Sequence, residues 1–372
     1  MPMRLIAVLG LGILAACTTV DLHARQFSTS AGPVEVEQVA GDLDTPWAVA
    51  FLPDGGLLVT ERDGRLWHFD AAMARNPVAG VPDVYVQGQG GLLDVVAARD
   101  FTASRTIFLT YAGVYPGGGA TTLASARLSA DGSRLEELRV LFRQDRATGA
   151  GHHFGSRVVE APDGSLYLTI GDRGDADRAQ DPQTHNGKVV RVNRDGSVPA
   201  DNPFASGGGR PDIWSIGHRN PQGATLDEAG RLWTVEHGAR GGDEINRPQA
   251  GHNHGWPVIS YGTHYSGMPI GEGTAKSGME QPVWYWDPSI APSGMAILSG
   301  RLFPAWTGDI LVGSLKYDYV SRLDRDGDRV SGEERLFPDA FERIRDVREG
   351  PDGAIWFLSE GDGALYRVTP VR

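Results

Sequence analysis

Seven short polar stretches of this chain hold the side-chain types that do chemistry. They are Gly88-Gln89-Gly90, Gly151-His152-His153-Phe154-Gly155-Ser156-Arg157, Gly171-Asp172, Gly217-His218-Arg219-Asn220-Pro221-Gln222, the run 236–246, Ser314-Leu315-Lys316-Tyr317 and Arg343-Ile344-Arg345-Asp346. Histidine exchanges a proton near neutral pH. Arginine and lysine hold anionic groups, arginine in bidentate fashion. Glycine-rich chain with carboxylates supplies the oxygen atoms that hard cations prefer. Proton transfer, anion binding and cation binding are therefore the chemistries within reach, provided that a fold gathers residues as distant as Gln89 and Arg345.

A repeating β-framework can do this. A turn followed by a short apolar strand recurs six times, at Leu57-Leu58-Val59-Thr60, Ile107-Phe108-Leu109-Thr110-Tyr111, Leu166-Tyr167-Leu168-Thr169-Ile170, Leu232-Trp233-Thr234-Val235, Ile310-Leu311-Val312-Gly313 and Ile355-Trp356-Phe357-Leu358. Partner strands follow at hairpin distance at 64–69, 189–192, 320–323 and 364–368, and Asp-Gly turns between such runs signal hairpins. Repeats of about 40–60 residues predict an all-β, six-bladed β-propeller over residues 34–372. The longest gap, 236–308, is expected to hold loop insertions. Two stacked β-sandwiches are the alternative architecture. In a propeller the blade-connecting loops meet at one end of the central channel, so distant polar clusters become neighbours.

Composition narrows the partners. The 372 residues include 50 Gly and 23 Pro, about a fifth of the chain, which disfavours helical bundles. Lys and Arg number 35 against 47 Asp and Glu, a net charge of −12. Polyanion binding needs clustered cations, so nucleic acid is excluded as a partner, while a small anion held by a few local cations is not. The one cysteine, Cys17, forbids an internal disulfide. It follows Arg4, an apolar run at 5–14 and Leu14-Ala15-Ala16, the layout of a secretory signal with a lipobox. Residues 1–16 are thus expected to be a lipoprotein signal peptide. Residues 17–33 read as a flexible tether from a lipidated Cys17, with the protein exported to the periplasmic side of the envelope and meeting the membrane through that anchor only.

The polar stretches, taken in order, resemble those of the soluble quinoprotein glucose and aldose sugar dehydrogenases (the glucose/sorbosone dehydrogenase family). The likeness spans almost the whole mature chain. It is carried by Gly-Gln-Gly-Gly-Leu-Leu (88–93), His-Phe-Gly-Ser-Arg (153–157), Thr-Ile-Gly-Asp (169–172), Gly-Lys-Val-Val-Arg-Val-Asn (187–193), Gly-His-Arg-Asn-Pro-Gln-Gly (217–223), Gly-Gly-Asp-Glu-Ile-Asn (241–246) and Arg-Ile-Arg-Asp-Val (343–347). The resemblance implies a six-bladed propeller that uses pyrroloquinoline quinone (PQQ) and calcium to oxidise aldose sugars at the anomeric carbon to lactones. Electrons would pass to an external acceptor, a quinone or a cytochrome.

Residue by residue, the resemblance makes His153 the general base, Asp172 the carboxylate that orients it, and Arg219 a cation near the developing oxyanion. Gln89, His153, Arg219, Asn220, Lys316, Arg343 and Arg345 fall on cofactor-binding positions. The pleat of a strand would point Arg343 and Arg345 to one face. The carbonyls of Gly238 and Ala239 would hold the catalytic calcium, and Glu244 a second, structural one. His152 departs from the glucose dehydrogenase pattern, which has Asp there, and takes no role. Two rival functions need different residues. A calcium-dependent lactonase would need an acidic or Asn cage and no cluster of cations, and a non-catalytic sugar-binding propeller would need none of the site. The Asp324-Arg325-Asp326-Gly327-Asp328 run lacks Gly and Glu at the sixth and twelfth positions of a calcium loop and reads as a hairpin turn. Trp284-Tyr285-Trp286 is open to either core packing or sugar stacking. Arg173-Gly174-Asp175 reads as incidental.

Overall fold

Turn chemistry sets the blades. At Asp54, Asp163 and Asp352 a Pro-Asp-Gly turn closes on itself. The carboxylate accepts the N–H two residues on, at 3.0, 2.9 and 3.1 Å. The glycine that follows takes φ of +88, +84 and +86°, which a Cβ would resist. Each turn joins the first strand of a blade to its second. The second strands Leu57–Glu61, Leu232–Glu236, Ile310–Ser314 and Ile355–Ser359 are buried at every residue. That is why they read as continuous apolar runs: a sheet covered on both faces has no solvent side.

The computed structural model describes residues 24–371 and consists of six antiparallel sheets around a channel. Blade 1 runs Pro46–Phe51, Leu57–Glu61, Leu66–Phe69, Arg75–Pro77, and blade 2 Leu92–Ala97, Thr106–Tyr115, Gly118–Leu128, Leu135–Arg143. Blade 3 is Val158–Glu160, Leu166–Ile170, Lys188–Val192, Ile213–Ile216, and blade 4 Pro221–Leu226, Leu232–Glu236, Asp243–Asn246, Trp284–Trp286. Blade 5 is Pro292–Ile297, Ile310–Ser314, Val320–Asp326, Arg329–Leu336. Blade 6 takes Ile344–Glu349, Ile355–Ser359 and Ala364–Pro370 from the end of the chain and Gly32–Ala40 and Arg25–Thr29 from its start. The first strands of the blades pack side by side, and Ile344–Glu349 against Pro46–Phe51 closes the ring. The predicted six-bladed propeller is the observed fold. The segment between Asn246 and Trp284 holds no strand, as the long gap implied. The acidic run at 324–328 turns between Val320–Asp326 and Arg329–Leu336 as a hairpin.

One boundary differs. Residues 25–33, expected in the tether, belong to the propeller. Val34 and Val36 on the second N-terminal strand are 1 % exposed, and Phe27 packs edge-on against Phe337 at 4.9 Å. The last blade supplies only three strands of its own, so its edge would stay unpaired without this segment. The signal sequence and Cys17 lie outside the described residues.

Six apolar clusters fill the six junctions between blades. The channel itself is crossed by charges. Arg157 pairs with Asp94 at 3.0 Å and Asp346 at 3.1 Å, and Arg348 with the same two at 2.8 and 3.0 Å. The Val49 N–H also donates to Asp346, so the network touches blades 1, 2, 3 and 6. Such a buried quartet tolerates desolvation only because each charge is matched. The Arg157 guanidinium lies 4.4 Å from the centre of the Trp47 ring, whose other neighbours line the cavity described next.

Candidate active site

A cavity of about 500 Å³ is lined by residues of the blade connections. Trp47, Arg62, Gln89, Gln222, His237, Lys316, Arg343, Arg345 and Glu360 contribute polar or aromatic groups to its wall. Four cations face one carboxylate, leaving three positive charges in a chain whose net charge is −12. Arg345 Nε and Nη2 hold Glu360 Oε2 at 2.7 and 2.6 Å, and Arg343 Nη2 holds Oε1 at 3.1 Å. These ion pairs keep Glu360 ionised against the burial that would raise its pKa. Arg345 Nη1 also donates to Gln222 Oε1 at 2.9 Å. The two arginines converge by another route than one face of a strand. The strand begins at Ile344, and Arg343 precedes it with φ +51°. Lys316 adjoins them, since Arg343 Nη1 donates to the Leu315 carbonyl at 3.2 Å, and its own Nζ donates to the Ser289 carbonyl at 3.2 Å.

Gln89 connects this wall to the predicted base, because its Oε1 accepts the His153 backbone N–H at 2.8 Å. His153 Nδ1 lies 2.6 Å from Asp172 Oδ1. That carboxylate is itself fixed. The Gly174 N–H donates to Oδ1 at 2.8 Å and the Trp256 indole N–H to Oδ2 at 2.8 Å. Asp172 feels burial raising its pKa, but the His153 and Gly174 hydrogen bonds and the Arg219 charge hold it below the usual carboxylate range. An ionised Asp172 keeps the proton on Nδ1 and leaves Nε2 free to accept one. Burial pushes His153 below its ordinary 6.5, and Arg219 adds to this, with Asp172 pulling the other way. The imidazole is thus neutral near pH 7, the form a base requires.

Arg219 stands behind this pair. Its backbone carbonyl accepts the Asp172 N–H at 2.8 Å, and its guanidinium lies 5.2 Å from the Trp256 ring centre. Nη1 donates to the Gly238 carbonyl and, at 3.3 Å, to that of His237. Asn220 Oδ1 accepts the Gly155 N–H at 3.1 Å. Three buried atoms here have no partner: Arg219 Nε, Asn220 Nδ2 and His237 Nε2. Unpaired buried donors are costly, so their gathering beside a cationic cavity fits a polar, anionic group bound among them.

The cation positions are neighbours. Gly238 and Ala239 line an open groove next to the cavity, where the Gly238 carbonyl already accepts from Arg219. Glu244 lines a small buried cavity with Gly238, Arg219 and Glu236, and Asn246 Nδ2 donates to Glu236 Oε1 at 2.9 Å and Glu244 Oε2 at 3.1 Å. Burial and the Glu236 charge push Glu244 up to about 8, a cost that a bound cation would remove. Among the described residues, no three His, Cys, Asp or Glu side chains converge as a cage.

Five residues of the site escaped sequence reasoning. His237 borders the cavity, neutral because burial and Arg219 push it down to about 3. Its place just after a buried strand, next to Gly238, was the available signal. Arg62 and Glu360 sit singly in ordinary turns, and Gln222, inside the Gly217–Gln222 stretch, carried no assigned role; the fold brings all three to the wall. Trp256, the second partner of Asp172, lies in the long blade 4 insertion, where no pattern marks it. Trp284-Tyr285-Trp286 forms the outer strand of blade 4, with Tyr285 stacked on Tyr261 at 3.9 Å, and lines no part of the cavity.

Comparison with known proteins agrees with this fold. The family model for glucose / sorbosone dehydrogenase matches residues 43–367. The aldose sugar dehydrogenase YliI of Escherichia coli (strain K12) is 46 % identical over 345 residues, 91 % of this chain and 93 % of that protein. The crystal structure of the soluble aldose sugar dehydrogenase of Escherichia coli in its apo-form superposes with a TM-score of 0.88 at 44 % identity, covering 91 % of this chain and all of the other. The PQQ-bound aldose sugar dehydrogenase of Streptomyces coelicolor gives 0.77 at 25 % identity, covering 93 % and 99 %. This chain, with its ring-closed propeller, belongs to the glucose / sorbosone dehydrogenase family.

Proposed function

We propose that the protein oxidises aldose sugars at the anomeric carbon to the lactone with PQQ and calcium. The observation that carries this is the cavity wall of net charge +3, which matches a cofactor with three carboxylates. Lys316, Arg343 and Arg345 would hold those carboxylates, with Gln89 and Asn220 hydrogen-bonding to the same group. The carbonyls of Gly238 and Ala239 would hold a calcium ion, which would add positive charge to that of Arg219. Glu244, beside Glu236, is the candidate ligand of a second calcium. When bound, PQQ supplies the two-electron acceptor for the hydride. The chain's own part is proton transfer and placement. His153 Nε2 takes the proton of the sugar's anomeric hydroxyl, Asp172 stabilises the imidazolium at Nδ1, and Arg219 adds positive charge near the reacting centre. The electrons then leave to an external quinone or cytochrome. The wall of cations goes against a lactonase, which has no use for it. The lipobox at 14–17 supports export and a lipid anchor at Cys17 on the periplasmic side.

Reconstitution tests the reading. Cofactor-free protein given PQQ and calcium should reduce an artificial dye in the presence of aldoses, and a chelator should abolish this. Hydrolysis of a lactone with no dye reduction by any sugar would overturn it.

A further inference from the structure

Arg173 follows Asp172 directly and is 3 % exposed, yet no carboxylate lies within ion-pairing distance of it among the described residues. Its guanidinium instead serves backbone oxygens. Nε donates to the His152 carbonyl at 3.0 Å, Nη1 to that of Gly119 at 3.3 Å, and Nη2 to that of Ala150. Its flat face covers the Phe154 ring, with the centroid 3.5 Å away. Burial pulls this arginine down to about 10, so the fold spends stability to keep it there. Its partners tie the turn that leads into His153, at Thr148 Oγ1 (3.5 Å) and the carbonyls of Ala150 and His152, to the Gly119 carbonyl of blade 2 and to the ring of Phe154 just after His153.

The gripped residue holds an uncommon backbone angle: His153 has φ +55°, in the left-handed region that non-glycine residues seldom adopt. The next residue of the same turn completes the hold. Gly174 has φ +79°, an angle that favours glycine, and the His152 ring packs against it, with Nε2 2.5 Å from where a Cβ would stand. Its N–H meanwhile supports Asp172. Asp172 thus fixes the ring of His153, Arg173 the backbone that leads into it and the ring of Phe154 that follows, and the Gly174 N–H the Asp172 carboxylate.

We propose that Arg173 is a positioning residue for His153, acting on the backbone as Asp172 acts on the ring. The inference rests on His153 being the general base. It separates Arg173 from Lys316, Arg343 and Arg345, which line the cavity as Arg173 does not.

Arg173→Gln should lower kcat about 10- to 100-fold, the scale of a roughly 1 Å misplacement of a reacting group. KM for the sugar and the affinity for PQQ should change little. In a His153→Gln background the same substitution should cost nothing more, because its effect runs through the base. Equal losses in both backgrounds, or wild-type kcat in Arg173→Gln, would overturn the proposal. Arg173→Lys, which keeps the charge and one donor, provides the same cycle should the glutamine variant fold poorly, with a smaller loss expected. A second readout needs no cofactor. The low-field proton of the His153–Asp172 hydrogen bond, identified by its loss in His153→Gln, should shift or broaden in Arg173→Gln. An unchanged resonance would refute positioning. A shifted resonance in a protein that oxidises no sugar would leave Arg173 as the clamp of His153 and remove the dehydrogenase reading instead.

Discussion

The junctions between blades 1 and 2 and between blades 3 and 4 are built from opposite materials. The first buries twenty apolar residues, among them Leu58, Leu92, Leu109 and Phe154. The second buries three: Val189, Ala224 and Leu232. What joins blades 3 and 4 instead is a polar seam. Thr169 Oγ1 donates to the Pro221 carbonyl at 2.9 Å, Arg157 Nε to that of Gln222 at 3.0 Å, the Gly155 N–H to Asn220 Oδ1, and the Asp172 N–H to the Arg219 carbonyl. Apolar contact is non-directional and worth about 25 cal/mol per Å² buried, so it stabilises without fixing angles. Hydrogen bonds contribute less net energy but specify geometry. The seam lies where His153, Asp172 and Arg219 must be held to fractions of an ångström. The ring is thus stabilised mainly at other junctions and aligned at this one.

The largest expected effect tests the chemical side of that division. His153→Gln should lower kcat by about 10²–10⁴, the range for a positioned general base, at saturating PQQ and sugar. Its melting temperature should stay near that of the wild type, because the side chain contributes one bond at the seam. Near-normal kcat would show that the seam holds a structural histidine and no base.

The apolar junction should respond in the reverse sense. Leu109 is fully buried in the blade 1–2 cluster, so Leu109→Ala should cost about 2–5 kcal/mol of stability. Turnover per folded molecule should hold, since no atom of Leu109 meets the cavity wall. Val189→Ala, in the thin cluster, removes less apolar volume and should cost less. Denaturant melts with kcat measured below the transition compare the two. A large loss of turnover in Leu109→Ala would erase the distinction between the junctions.

Arg345→Ala sharpens the comparison from the cavity side. It removes a charge-assisted hydrogen bond of about 1.5–3 kcal/mol, so PQQ affinity should fall roughly 10- to 100-fold and saturating PQQ should recover much of the rate. The variant also frees Glu360 from its strongest partner, which adds a negative charge to the cavity and works in the same direction. Titration with PQQ, read as recovered activity and as absorbance change, separates affinity from turnover.

Much of the apolar framework was legible in the sequence, because each blade repeats the same instruction. An Asp-Gly turn and an apolar run of three or four residues suffice to place Leu57–Glu61 or Ile355–Ser359 in the middle of a sheet. The closing strands at 25–33 were not legible, since Ser28-Thr29-Ser30-Ala31-Gly32-Pro33 has the composition of a linker and becomes structure only by completing a distant edge. At the site, contiguous motifs carried His153, Asp172 and Arg345. Glu360 and Trp256 were invisible because their roles exist only in the folded chain, Glu360 beside Arg343 and Arg345 at the end of the neighbouring strand of blade 6 and Trp256 reaching from the blade 4 insertion to Asp172 on blade 3. Arg343 reached its place through a left-handed backbone angle that no side-chain pattern encodes.

The smallest effect concerns how the seam tunes its base. Burial holds His153 below 6.5, and Asp172, through its hydrogen bond and charge, partly restores the protonated form. In cofactor-free protein, the His153 ring followed by NMR should therefore titrate below 6.5. Asp172→Asn keeps the shape but removes the charge that favours imidazolium, so the midpoint should fall further. The acid limb of kcat/KM should move the same way, to lower pH, because the base stays neutral longer as protons are added. The plateau should also drop, since the neutral amide no longer stabilises the imidazolium formed in the reaction. Leu109→Ala, across the apolar junction, should leave the His153 midpoint where it was. A midpoint that rises in Asp172→Asn would mean that burial relaxes when the carboxylate is lost, and that the seam sets the base's pKa by excluding water more than by pairing charge.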